Sequence, residues 1–184
     1  MPSDVTTGIF TLAGAFLGSA GTLAVTALTV RTQRALARDA RDQTILDRQY
    51  ADHREYLLRS TRMMEAANAV VAVTHDGDLA RNENAGLLHG VYLAQWLSYA
   101  EAHSAAHFAC PEEILAELTM LHTATMKFGE SVDAVWAAAF TGEGHESALR
   151  RWEHEDEEVR TKRTAYSTTV VRSFGRMRAD RSLA

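Results

Sequence analysis

Residues 111–140 read PEEILAELTMLHTATMKFGESVDAVWAAAF. Within this stretch Ile114, Leu118, Leu121, Thr125, Phe128, Val132, Val135 and Ala139 follow one another in steps of 4-3-4-3-4-3-4. On an α-helix that spacing gathers all of them on one stripe, the seam of a helical bundle. The start of the helix is also marked. Pro111 suits the first helical position, where its missing N–H costs nothing, and Glu112 and Glu113 face the positive end of the helix dipole. A helix with one apolar stripe must bury it against other helices, so the neighbouring sequence is expected to supply them.

It does on both sides. Thr141-Gly142-Glu143-Gly144 reads as a tight turn, followed by a helix over about 145–178 with Leu149, Trp152, Val159, Tyr166, Val170, Phe174 and Met177 inward. Upstream, about 79–107 reads as a helix with Leu88, Val91, Tyr92, Leu93, Trp96, Leu97 and Ala100 as its core face. Before that, about 31–74 carries Leu46, Tyr50, His53, Leu57, Met64, Ala67 and Val71 at helical spacing, with Ser60 as a gap. Asp76-Gly77-Asp78 reads as its terminating turn. Short turns between long helices favour antiparallel neighbours. The expected fold is all-α: an antiparallel four-helix bundle over 45–180, entered from an N-terminal transmembrane helix.

That transmembrane reading rests on residues 8–30, GIFTLAGAFLGSAGTLAVTALTV, which contain no charged residue. As a helix they extend roughly 34 Å, enough for a hydrocarbon core of about 30 Å. Four threonines, four glycines and Ser19 dilute the apolar residues; hydroxyls are tolerated because they bond a backbone carbonyl one turn back. A comb of Arg31, Arg34, Arg38 and Arg41 follows at once, in a basic juxtamembrane helix over 31–44. Residues 1–7 hold no Lys or Arg. The positive-inside rule then sets this short N-terminus outside the plasma membrane (the bacterial inner membrane) and the bulk of the chain in the cytoplasm. A cleaved signal peptide is the competing reading, but the basic start it needs is missing. Gly14, Gly18, Thr22 and Thr26 recur every fourth residue, a small-residue face through which two such helices can approach.

Composition agrees. The chain has 184 residues and a net charge of −5, which argues against a nucleic-acid binder. Only Lys127 and Lys162 are lysines; the Arg and Ala bias is that of a high-GC bacterial genome. The single cysteine, Cys110, forbids an internal disulfide, as expected of a cytoplasmic domain.

Candidate sites are few. Arg172, Arg176, Arg178 and Arg181 close the last helix and, in an up-down bundle, return toward the leaflet that the Arg31–Arg41 comb faces. Contact with anionic lipid is one reading and favourable placement at the negative helix end the other. His103, His107 and Cys110 have the spacing of weak zinc ligands, but no fourth ligand motif accompanies them, so no metal or other cofactor is expected. Glu153–Glu158 reads as a solvated face with Asp156–Arg160 and Glu158–Lys162 pairs, or as an acidic docking patch. Trp136 and Trp152 flank one turn and are expected to pack together. No nucleophile elbow, phosphate loop or dinucleotide fingerprint occurs.

The span with Gly14 and Gly18, the helix RTQRALARDARDQ and the continuation DRQYADHREY together resemble small single-span proteins of filamentous actinobacteria called KilB-like. The resemblance covers about residues 8–56 and implies a membrane protein linked to the spread of conjugative plasmids; it brings no catalytic residues. The function expected is a non-enzymatic, membrane-anchored interaction or scaffold protein whose partners are the bilayer, a second copy and an unidentified protein. A membrane-active oligomer of pore or toxin type and a metal-dependent bundle enzyme are the alternatives.

Overall fold

The computed structural model describes the backbone of residues 3–75, 84–108 and 110–182, and the side chains of 28–74, 84–108 and 110–180. Four helices follow one another: α1 Ser3–His75, α2 Ala85–Phe108, α3 Glu112–Thr141 and α4 His145–Ser182. Among the described residues there is no strand. The chain divides into two units, residues 1–46 and 47–184. In the first, every side chain from Leu28 to Ile45 is exposed, the Arg31, Arg34, Arg38 and Arg41 comb included. The second is a helical bundle.

The helix ends follow their local chemistry. Pro111 is extended (φ −61°, ψ 145°) and its carbonyl accepts from the N–H groups of Ile114 and Leu115, so it caps α3 instead of forming its first residue. Gly142 closes α3 with φ 73°, a left-handed conformation that glycine adopts without a Cβ penalty, and its N–H bonds the Ala138 carbonyl at 2.8 Å. The expected Asp76-Gly77-Asp78 turn lies outside the described residues.

Residue pairs across the bundle give its topology. Tyr50 meets Phe174, and Arg163 donates to Thr61, so α1 and α4 are antiparallel. Tyr56 meets His103 while Arg59 reaches Ser98, antiparallel for α1 and α2. His89 stacks on Trp136 and His103 on His122, antiparallel for α2 and α3. Ser173 donates to Glu113 and Arg151 to Glu130, antiparallel for α3 and α4. Each helix thus packs on the next, and α4 returns to α1.

The α3 seam is buried as its spacing requires, from Ile114 to Val135. In α4, Val159, Tyr166, Val170 and Phe174 are buried. In α1, Leu46, His53, Met64, Ala67 and Val71 of the expected stripe are buried and Tyr50 and Leu57 half-buried, and Tyr56, Met63 and Val70 join them, because a helix flanked by two others buries a wider arc than one heptad stripe. For α2 the expected core is overturned. Tyr92 is buried, but Val91, Leu93, Leu97 and Ala100 are exposed, and Ala85, Tyr99, Ala102 and Ala106 take the inner positions. A helix that is apolar nearly all round carries no periodic signal to say which face turns inward.

Trp136 stacks on His89 with ring centroids 4.4 Å apart and makes an edge contact with Phe140, in place of the expected pairing with Trp152. Lower on the same interface the Trp96 indole lies over buried Gly129, where a Cβ would come within 2.5 Å of Cη2. Gly129→Ala therefore sets an overpacking cost of about 1–3 kcal/mol against a helix-propensity gain of about 1 kcal/mol. We expect net destabilisation in urea unfolding of the wild-type background and stabilisation in a Trp96→Leu background. Equal effects in both would rule out the indole as the cause.

Candidate functional site

Among the described residues, a tyrosine–histidine cluster gathers chemically capable side chains from all four helices. His53 and Tyr56 come from α1, Tyr99, His103 and His107 from α2, His122 from α3, and Tyr166 from α4. They converge because Tyr56 and Tyr166 lie on buried stripes, while α2 turns Tyr99 and His103 inward at a spacing of one turn.

Two hydrogen-bonded segments run through it. The Tyr56 and Tyr99 hydroxyls are 2.9 Å apart, and the Tyr99 hydroxyl is 3.1 Å from His122 Nδ1. With the imidazole neutral and Nδ1 accepting, the phenol hydrogens run one way, from Tyr56 to Tyr99 to His122. The second segment joins the Tyr166 hydroxyl to His53 Nδ1. Tyr56 and Tyr166 link the two segments by an edge-to-face contact at 5.5 Å, without a hydrogen bond. His53 is fully buried, and its Nε2 has no hydrogen-bond partner among the described residues.

Burial governs the protonation states. It pushes the phenols of Tyr56, Tyr99 and Tyr166 well above the ordinary tyrosine range, reinforced at Tyr56 by Tyr99 and at Tyr166 by Cys110. It pulls His53 down to about 4, against a weak opposing pull from Asp52. His103 falls to about 4 through burial first, then His122 and His107; His122 is lowered by burial and by His107. The His103 and His122 rings stack at 3.7 Å and 11°, so two imidazolium charges there would face each other directly. Burial thus favours the neutral forms of His53, His103 and His122 and of the three phenols. The cluster offers no thiolate either, since burial raises Cys110 to about 11. Its hydrogen bonds cross between helices and set their register, while His53 Nε2 stays without a partner among the described residues.

The predicted site residues are partly brought together. His103 and His107 share the cluster with rings 5.9 Å apart, but Cys110 turns its Sγ to the Pro111 carbonyl at 3.5 Å. Among the described residues no group of three or more His, Cys, Asp or Glu is arranged to hold a metal ion. The residue that stacks on His103 is His122, from another helix; its only sequence signal is its place next to Leu121 on the α3 seam.

In the C-terminal comb, Arg172 and Arg176 are exposed, while Arg178 bonds Asp47 at 2.8 Å and lies over the Tyr50 ring at 5.0 Å. The Arg181 side chain lies outside the described residues, as do those of Gly14, Gly18, Thr22 and Thr26. In the acidic run Asp156 pairs with Arg160 as expected, but Glu155 is buried, and its Oε2 has no partner among the described residues. An open cleft of about 350 Å³ between α1 and α4 is lined by Leu57, Thr61, Arg163, Thr164, Ser167 and Thr168. Its threonine hydroxyls already donate to backbone carbonyls one turn back.

No family model, curated protein or solved structure matches this chain.

The stacked histidines make the bundle acid-sensitive. Imidazoles protonate near 6.5 in the unfolded chain and near 4 at His53 and His103 in the fold, so stability is complete above pH 6.5 and is lost as pH falls from there through about 4. For half-exposed His103, screened by solvent, the loss between pH 7 and 5 is about 1 kcal/mol. His103→Phe keeps an aromatic ring and removes the titration, so its urea midpoint should fall less over that interval. An unchanged pH dependence would reject the assignment.

Proposed function

We propose that the chain is a non-enzymatic, single-pass membrane-anchored interaction protein. Residues 8–30 would span the plasma membrane of a bacterium, 1–7 would lie outside, and the bundle would lie in the cytoplasm. The observation that carries this reading is the charge-free run of 8–30 ending abruptly in the Arg31, Arg34, Arg38 and Arg41 comb. The exposure of all four arginine side chains supports it, since an arginine free of intramolecular burial is available to lipid phosphate. Arg172 and Arg176 are available in the same way, whereas Arg178 is engaged by Asp47 and Tyr50.

Among the described residues no helix is long and apolar enough to cross a membrane. The side chains of 8–27, on which the proposed span depends, lie outside that description. The non-enzymatic part of the reading rests on the sequence, which carries no nucleophile elbow, phosphate loop or dinucleotide fingerprint. The process proposed is the spread of conjugative plasmids, on the resemblance of residues 8–56 to KilB-like proteins.

Membrane fractionation tests the anchor. The intact chain should resist extraction by alkaline carbonate, and deletion of residues 1–30 should release the bundle into the soluble fraction. Changing Arg31, Arg34, Arg38 and Arg41 together to Glu should move a C-terminal reporter out of the cytoplasm in a large share of molecules. Extraction of the intact chain by carbonate would overturn the reading.

A further inference from the structure

The bundle carries one face built like an interior but turned outward. From Asn84 to Ala100 the chain has no Asp, Glu, Lys or Arg. The outer side of α2 over this interval presents Leu87 at 69% exposure and Leu97 at 67%, with Val91 and Leu93 exposed beside them. A helix apolar on every side is normally surrounded by protein or lipid. Among the described residues its inner side is covered by Tyr56 of α1 and by Trp136, Gly129 and His122 of α3. Along the centre of the outer side, Gly86 and Gly90 stand four residues apart with nothing within 4 Å of where a Cβ would be, so a second helix can approach the backbone closely.

We infer that this face of α2 pairs with α2 of a second copy of the chain. Three arguments select that occupant. A lipid surface is disfavoured, because interfacial helices flank their apolar side with Lys and Arg, and α2 has neither. A charged partner finds nothing to pair with. A second copy, by contrast, brings an identical uncharged strip, and two-fold pairing opposes no like charges even though each chain carries −5 overall. The contact continues onto α3 through the His89–Trp136–Phe140 stack, where Phe140 is 63% exposed.

This pairing is independent of the proposed membrane span and of its Gly14–Gly18 face, and the test separates them. In the full-length chain with Cys110→Ser, Gly90→Cys should form a disulfide-linked dimer under mild oxidation in cell membranes or lysate. Adding Leu97→Glu, or separately Leu87→Glu, should reduce that dimer at least about tenfold, because pairing would bury an unpaired carboxylate. Both side chains are exposed, so circular dichroism and thermal midpoint should stay at the parent values, which separates loss of pairing from loss of fold. Gly14→Leu with Gly18→Leu should leave the dimer unchanged. Failure of Gly90→Cys to cross-link would overturn the inference. So would a dimer that survives Leu97→Glu, or one that depends only on Gly14 and Gly18.

Discussion

Tyr56 holds the bundle's geometry. Its ring faces Tyr99 of α2 at 5.3 Å and meets Tyr166 of α4 edge-on, and through the Tyr99 hydroxyl its hydrogen bonding reaches His122 of α3. Four helices with apolar seams slide easily past one another by a turn, since Leu and Val contacts are non-directional. A buried hydroxyl does not slide, because losing its partner costs about 1–3 kcal/mol. The Tyr56–Tyr99–His122 segment therefore sets the vertical register of three helices, and Tyr166–His53 ties in the fourth. The surrounding aliphatic residues supply the burial energy, while the polar seam says which arrangement receives it.

This division of labour explains what was legible in the sequence. The α3 stripe could be read because every charged residue of that helix lies off it, Glu112, Glu113, Glu117, Lys127, Glu130 and Asp133 among them, so one phase of the helix stands out. The Gly142 turn could be read because only a left-handed residue ends a helix in that way. Tyr56 was missed because it lies beside, not on, the heptad drawn through His53 and Leu57; the neighbour that buries it is 43 residues away in Tyr99. The partnership of His103 with His122 was likewise invisible, as was the burial of Glu155 inside an apparently solvated acidic run. Each depends on a tertiary neighbour and on no local pattern. Helix α2 failed for the opposite reason. Its pattern was too uniform, and Leu97 looked like core because nothing on the opposite side looked like surface.

The same uniformity gives α2 its meaning. α4 shows how the chain makes a surface when water is the intended neighbour: Arg150 pairs with Glu146 and Arg160 with Asp156, one turn apart. Against these, the absence of any charge from 84 to 100 on an outward-facing helix is a departure within one molecule, made by the same composition. Net negative charge keeps copies apart at long range, and at low ionic strength the repulsion extends over tens of ångströms. Close association of two copies thus needs a surface on which no like charges meet. Among the described helices α2 provides it, and its glycines shorten the distance over which the apolar side chains must reach.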